Sequence, residues 1–203
     1  MKLKKIASLA LAGIMAVSML AGCKDGGNGN SGSSSENTNT SGNFTSTVLG
    51  KSSELARDML TVSDDTNIDK AVAYIANNTL FDAYSDTLND VGTAVWQDAQ
   101  NILKSSDYTR FETKDDFSGN LNDTDKTYAG LFIVSRERSD EWIAGNLANY
   151  VDQYVQNVSD EENCNMSIRI VTADGKYDGD VKKNGECVVI GILVDFDFTK
   201  DNH

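Results

Sequence analysis

The sequence predicts an α+β fold in which N-terminal helices pack on a small, mainly antiparallel sheet. Three observations lead to this prediction. Apolar residues recur at helical spacing between residues 52 and 104, and apolar runs of strand length follow from residue 128 onwards. Residues 187–194 are apolar at consecutive positions, which predicts that the last strand is central in the sheet, where both of its faces are covered.

The first helices are predicted from capping residues that precede apolar stripes. Ser52 or Ser53 can cap a short helix, and Asp65 or Thr66 can start a second one. The apolar positions of the two helices are Leu55, Met59 and Leu60, and then Ile68, Ala71, Val72 and Ile75.

The strongest periodic pattern predicts one helix of about 25 residues, roughly 37 Å long, with Thr79 as its N-cap. Its apolar stripe consists of Phe81, Tyr84, Leu88, Val91, Val95, Ala99 and Ile102. We expect this stripe to pack on the sheet of its own domain. An intermolecular coiled coil would need more sustained heptads and charged flanking positions.

The second half of the chain predicts a split β-α-β unit. After a loop over residues 106–127 with one short strand at 108–113, strands are expected at 128–135, 166–172 and 187–198. Between the first two long strands, Ser139 caps a helix with the stripe Ile143, Leu147, Tyr150, Tyr154 and Val158. We expect the last strand to lie between the first two, with a right-handed crossover. The earlier helices are expected on the same face of the sheet as the crossover helix, or at an end of the sheet.

The N-terminus has the three parts of an export signal. Lys2, Lys4 and Lys5 precede an apolar run over residues 6–20, and the small residues Ala21 and Gly22 follow. The sequence Leu-Ala-Gly-Cys that ends at residue 23 resembles the lipobox of bacterial lipoproteins. This resemblance implies cleavage before Cys23 and a diacylglycerol thioether on its sulfur. An ordinary secretory signal with a chance cysteine is the alternative.

The sequence therefore predicts three segments: a lipoprotein signal peptide over residues 1–22, a lipidated cysteine and disordered tether over 23–45, and one globular domain over 46–203. In residues 24–43, 17 of 20 residues are Gly, Ser, Asn or Thr, a composition that cannot bury enough apolar surface to fold. Such a coil spans roughly 25 Å. It is similar to the spacers behind the lipid anchor in Gram-positive lipoproteins.

The net charge of the protein limits the kinds of partner that it can bind. The formal net charge is −13, and removal of the signal, which holds three lysines and no acid, takes it to about −16. This excess argues against binding to nucleic acid or flat against anionic lipid, since both are polyanions. We expect contact with the membrane through the lipid on Cys23 alone, on the outer side of the cytoplasmic membrane. We expect a protein or glycan partner, whose identity the sequence does not indicate.

Several kinds of catalytic site are excluded by composition and motifs. The only histidine is His203, so histidine triads and histidine-rich metal sites would require this residue to fold back onto the domain. The chain has no G-x-S-x-G, G-x-x-x-x-G-K-[ST] or H-E-x-x-H motif. We expect no cofactor.

Cys164 and Cys187 form a pair that an exported protein could oxidise. If the last two strands form an antiparallel hairpin, these cysteines lie at its opposite ends, well beyond the Cα separation of about 7 Å that a disulfide allows. If residues 176–183 formed an additional strand, both cysteines would lie at one end of the sheet, one strand apart. We expect two free thiols.

Two oxygen-rich segments resemble metal-binding loops only weakly. The first segment contains Asp174, Asp178 and Asp180. Two positions at which a calcium loop needs oxygen ligands are occupied by Lys176 and Gly185, so we predict a turn. The other segment contains Asn120, Asn122, Asp123 and Asp125 and is equally unspecific. We expect no metal.

The remaining candidates are carboxylates and tryptophans. Asp195 and Asp197 alternate on one strand face and could serve acid–base chemistry on a glycoside, with Glu137 as a nearby third carboxylate. Their ordinary role is to mark where a strand leaves the core. Trp96 and Trp142 could stack on a sugar or contact a partner, but we expect packing at the edge of the core.

These observations favour a lipid-anchored extracytoplasmic domain with a non-enzymatic binding or envelope-associated role. The alternative is a carboxylate-dependent glycoside hydrolase that uses Asp195 and Asp197 on envelope or environmental polysaccharide. A third possibility is an accessory subunit of a membrane machine. A deep pocket around both carboxylates would favour the enzyme, and an exposed apolar surface would favour the binding module.

Overall fold

A computed structural model describes residues 41–103, 108–112, 126–158, 164–181 and 185–198. Helices and one mixed sheet confirm the predicted α+β class. The helices are α1 (Ser41–Lys51), α2 (Glu54–Met59), α3 (Asn67–Asn78), α4 (Thr93–Leu103) and α5 (Asp140–Val158). The strands are β1 (Leu60–Val62), β2 (Leu80–Phe81), β3 (Asn89–Asp90), β4 (Tyr108–Arg110), β5 (Lys126–Ser135), β6 (Cys164–Tyr177) and β7 (Glu186–Phe198). Within these ranges, no helix is long and apolar enough to cross a bilayer.

The last strand is central, as the sequence predicts. The sheet order is β1-β6-β7-β5-β3, and β7 runs antiparallel to both β5 and β6. The first two long strands therefore flank the last one and do not pair with each other. This is the split arrangement, with α5 connecting β5 to β6.

Helices cover both faces of the sheet, which differs from the prediction that the earlier helices share the face of the crossover helix or lie at an end. Even-numbered residues of β7, such as Ile190 and Ile192, lie in a core with residues of α1, α2 and α5. Odd-numbered residues, such as Val189 and Leu193, lie in a second core with α3 and α4. A central strand that is apolar on both faces requires a helical layer on each.

The predicted 25-residue helix does not form. Phe81 belongs to β2, residues 82–88 form a loop, and only Thr93–Leu103 is helical. Gly92 has φ +85°, a backbone conformation that L side chains rarely adopt, and its N–H donates to Asp90 Oδ1 at 2.7 Å. The helical spacing of the apolar residues is coincidental, because several of them enter the core from strands and turns.

The three predicted caps near the other helices are borne out in position. Ser53 Oγ accepts from Ala56 N–H at 3.2 Å, Thr66 precedes α3, and Ser139 Oγ accepts from Trp142 N–H at 3.2 Å.

The folded domain begins earlier than the predicted residue 46. The helix α1 starts at Ser41, and Phe44 and Thr45 are buried. Cys23 and the rest of residues 1–40 lie outside the described residues.

The outer edge of β5 is protected along its length by short segments. β4 pairs with its first half and β3 with its second half. Between and beyond them, backbone N–H groups of Phe111 and Val91 donate to Ala129 and Leu131, and that of Ser135 donates to Ser85. Edge strands of two or three residues leave little backbone exposed for pairing with other chains.

Candidate functional site

One end of the sheet carries a row of polar residues, which we call the polar row. Tyr108, Thr127, Asp195, Ser167 and Thr61 are consecutive partners across β4, β5, β7, β6 and β1. Residues in register share a face, so these side chains leave the same side of the sheet. The polar row contains Asp195, one of the two carboxylates that the sequence singles out.

The polar groups at this end bond to one another. Thr127 Oγ1 donates to Asp195 Oδ1 at 2.6 Å, and Tyr108 OH donates to Asp65 Oδ2 at 2.7 Å. The N–H of Asn67 donates to the other oxygen of Asp65 at 2.7 Å. Burial, together with the hydrogen bond to Asp65, raises the pKa of Tyr108, so its hydroxyl stays protonated and can donate.

A bidentate ion pair joins α3 to the sheet beside the polar row. Arg169 Nε and Nη2 donate to the two carboxylate oxygens of Asp69 at 2.7 and 2.6 Å, and Nη1 donates to the carbonyl of Ser63 at 3.0 Å. The hydrogen bond to Asp69 raises the pKa of Arg169. This geometry fixes the segment between β1 and α3 and is a structural connection.

The carboxylates of the hydrolase hypothesis do not come together as a group of three. Asp195 is half-buried and bonded to Thr127, and Asp197 is exposed. Glu137 follows β5 at the other end, because Ser135 pairs with Cys187 whereas Thr127 pairs with Asp195. Eight residues of strand separate these levels, roughly 26 Å. The expectation that Glu137 lies nearby is therefore wrong, and Glu137 Oε2 accepts from Tyr84 OH at 2.9 Å.

Cys164 and Cys187 lie at opposite ends of the β6–β7 hairpin and do not form a disulfide with each other. Their partners across the hairpin are Phe198 and Gly175, respectively. Cys187 is fully buried, and burial followed by the charge of Asp174 raises its pKa to about 12. A protonated, buried thiol is a poor nucleophile.

We expect Cys187 to make the protein less stable as pH rises above 9. The unfolded thiol loses its proton near its ordinary pKa of 9.0, whereas the folded thiol keeps it to about 12, so ionisation favours the unfolded chain between these values. From pH 8 to pH 10, the free energy of unfolding of the wild type should fall by about 1.4 kcal/mol more than that of Cys187→Ala. Urea unfolding at both pH values measures it. Equal pH dependence of the two proteins would contradict the burial of this thiol.

The aspartates of the weak calcium pattern form turn and surface contacts. Asp174 pairs with Arg136 at 3.2 Å, and Asp178 Oδ1 accepts from the N–H of Asp180 at 3.0 Å. Across the described ranges, no group of three or more His, Cys, Asp or Glu side chains could hold a metal ion. The segment 120–125 and His203 lie outside these ranges.

The two tryptophans contact arginines at the edges of the core. Trp96 is buried, and the guanidinium of Arg110 lies 5.5 Å from its ring centroid. Trp142 is partly buried, and the guanidinium of Arg138 lies 4.7 Å from its ring. Trp96 is too buried to stack on a sugar, and Arg138 covers one face of the Trp142 ring.

Exposed apolar side chains surround the other end of the sheet, where β6 turns into β7. Leu80, Tyr84 and Val181 expose 64%, 40% and 36% of their surface, respectively. Each adjoins residues 176–178: Leu80 pairs with Lys176, Tyr84 contacts the ring of Tyr177 at 5.4 Å, and the N–H of Val181 donates to Asp178. We call the exposed side chains of Leu80, Tyr84 and Val181 the hairpin-end surface, and the buried ring of Tyr177 supports Tyr84.

A cavity of about 390 Å³ opens beside the hairpin-end surface. It is lined by Lys176, Tyr177, Gly179, Gly185 and Glu186. The lining combines both charges with an aromatic ring and glycine backbone. The sequence analysis missed the hairpin-end surface because it assigned Tyr84, together with Phe81, to the apolar stripe of a helix. The turn-forming residues between 82 and 92, chiefly Asp, Asn, Ser and Gly, were the available indication of a loop.

Comparison with known proteins adds no relative to these observations. No protein-family model, curated protein or solved structure matches this chain. The chemistry of the polar row and of the hairpin-end surface is therefore argued from their own residues.

Proposed function

We propose that this protein is a lipid-anchored extracytoplasmic domain that binds a partner without catalysis, through the hairpin-end surface. The observation that carries the binding role is the exposure of Leu80, Tyr84 and Val181 around one turn of the sheet. These side chains lie around one end of the sheet, with Leu80 on the face of Lys176 and Tyr84 on the face of Tyr177, and exposed apolar side chains that lie near one another are typical of interaction sites. The anchor and the location rest on the lipobox resemblance at Cys23.

The hairpin-end surface is rigid enough to bind without large ordering costs. Tyr84 packs on Tyr177, and its hydroxyl donates to Glu137 at 2.9 Å. Tyr177 itself is buried, and its hydroxyl lies 3.3 Å from the carbonyl of Ser85. An aromatic side chain held in place loses little conformational entropy on binding, and tyrosine is enriched at the energetic centres of interfaces. A protein partner or a glycan fits this chemistry.

The alternative is a glycoside hydrolase that uses Asp195 and Asp197, and the contacts at the polar row argue against it. Asp195 accepts a hydrogen bond from Thr127, and Asp197 is exposed to water, so neither lies in an apolar enclosure. A general acid on a glycoside needs an environment that keeps its carboxyl protonated. A glycan-hydrolysing activity that Asp195→Asn or Asp197→Asn abolishes would favour the hydrolase instead.

We expect Cys23→Ala to remove the protein from the membrane. Without the thiol there is no site for the diacylglycerol thioether, so the chain should stay unprocessed or be released into the medium. Membrane fractionation and mass spectrometry of the mature N-terminus measure both outcomes. An acylated Cys23 in the wild type supports the anchor, and an unmodified N-terminus at another residue contradicts it.

We expect a photo-crosslinking amino acid at position 80 to form a discrete adduct in the native envelope, and one at position 55 to form none. Leu55 is the matched control, since it exposes 44% of its surface but belongs to α2, which leads into β1. Leu80 lies instead beside the turn between β6 and β7. Mass spectrometry of the adduct then separates a protein partner from a glycan.

The adduct at position 80 should weaken about tenfold or more when Tyr84→Ser is introduced, as expected for loss of a central aromatic contact of about 1.4 kcal/mol. Equal adducts from positions 80 and 55, or an adduct insensitive to Tyr84→Ser, would contradict binding through the hairpin-end surface. The location of the protein would be unaffected by this result.

A further inference from the structure

The outer edge of β6 has a gap that a helix closes. β1 pairs with Met166–Ile168 and β2 pairs with residues 176 and 177. Between them, residues 169–175 have no strand neighbour on this side among the described residues. An open edge of this kind exposes backbone N–H and C=O groups that favour pairing with another chain.

Thr45 of α1 occupies this gap. Its Oγ1 donates to the carbonyl of Ile170 at 3.0 Å and accepts from the N–H of Ile170 at 2.9 Å. One hydroxyl thus makes both bonds that a neighbouring strand would make, and Thr45 is fully buried. The backbone of Ile168 points to the same edge, because its carbonyl accepts from the N–H of Ser63. By alternation, the backbone groups of Thr172 also face this edge.

The sequence of α1 is a poor helix former, so contacts with the rest of the domain maintain it. Seven of its 11 residues are Gly, Ser, Thr or Asn, which have low helix propensity. Phe44 and Val48 insert into the core, and Lys51 pairs with Glu141. After the end of α1, the N–H of Ser53 donates to Asp152 at 2.7 Å. A short helix of this composition does not persist on its own.

We propose that α1 is a strap that opens as a unit while the rest of the domain stays folded, and that Thr45 is its latch on the edge of β6. Opening exposes the backbone of Ile170 and the gap around it, and closing covers them again. Because α1 begins at Ser41, inside the segment predicted as the tether, its opening also adds its 11 residues to the connection between anchor and sheet. The strap is independent of which partner the hairpin-end surface binds.

Hydrogen exchange of the full chain, followed by mass spectrometry, tests the strap. We expect the amides of α1 and of Ile170 to exchange at a common rate, at least tenfold faster than those of Val189–Ile192 in β7. Thr45→Val keeps the shape of the side chain and removes both bonds to Ile170. It should raise exchange in α1 and at Ile170 by about tenfold or more and leave β7 unchanged.

Two further variants separate the latch from a general loss of stability. Thr45→Ser keeps the hydroxyl, so the amides of α1 and of Ile170 should exchange at the wild-type rate. Thr47→Val removes an exposed hydroxyl that bonds only within α1, to the carbonyl of Asn43, and should change nothing at Ile170. Equal protection of α1 and β7 in the wild type would overturn the proposal. So would a Thr45→Val protein that exchanges faster throughout or fails to fold.

Discussion

Gly191→Ala is expected to destabilise the protein by about 3 kcal/mol. Gly191 lies in the middle of β7, where α3 crosses the central strand. A Cβ at this position would overlap Val72 Cγ2 and approach Ile68 Cγ1 to 2.8 Å. Both neighbours are β-branched residues in a helix, which hold one strongly preferred rotamer and cannot turn aside. The helix would have to move away from the sheet and lose apolar contact.

Urea unfolding measures this change, and Gly145→Ala is the matched control. Gly145 lies in α5, and a Cβ added there would meet nothing within 4 Å, so alanine should stabilise the helix by about 0.5–1 kcal/mol. For a slope of about 3 kcal/mol/M, the Gly191→Ala midpoint should fall by about 1 M. A midpoint within about 0.2 M of the wild type would show that α3 does not pack on Gly191 at this distance.

Arg169→Met is expected to destabilise the protein by about 2 kcal/mol, because it removes the hydrogen bonds of a charged donor to Asp69 and Ser63 and keeps most of the apolar stem. The side chain of Arg169 exposes only 12% of its surface, and that of its partner Asp69 exposes 26%. Water therefore replaces these bonds poorly. The segment between β1 and α3 also loses its bond from Arg169 to Ser63.

Arg136→Met is the control for this prediction. Arg136 also pairs with two carboxylates, Asp140 and Asp174, but all three side chains are exposed by roughly a third or more. Water and salt screen such pairs, so the loss should stay below about 1 kcal/mol. Combining Arg169→Met with Asp69→Asn in a double-mutant cycle should give a coupling energy of about 1.5 kcal/mol. A coupling near zero would mean that the bidentate pair contributes no stability.

The caps and the helices that depend on neighbouring residues were predictable. Ser53 and Ser139 cap helices with their hydroxyls, and Asp65 accepts from the N–H of Asn67 at the start of α3, because such bonds and the apolar spacing that follows them act within a few residues. The failure at residues 79–104 has a physical cause as well. Phe81 and Val91 contact the same core as Trp96, but they reach it from a strand and a turn, which spacing alone does not distinguish from a helix.

The two candidate sites, the polar row and the hairpin-end surface, depended more on long-range packing. The alternation of Asp195 and Asp197 correctly predicts one strand face, but their pairing with Thr127 and their distance from Glu137 follow from the register of β5 against β7. The hairpin-end surface escaped prediction because Leu80 and Val181 are about 100 positions apart in the chain. They come together only through the pairing of β2 with β6.

By itself, the sequence determined the α+β class and the central position of the last strand, because a run that is apolar on both faces must be covered on both. Tertiary structure alone decided that α1 is helical, since its composition disfavours a helix and contacts of Phe44, Thr45 and Val48 stabilise it. It likewise decided that α3 and α4 occupy the face opposite α5. Local patterns specify local geometry, whereas the face of the sheet that a helix covers depends on packing contacts between residues far apart in the chain.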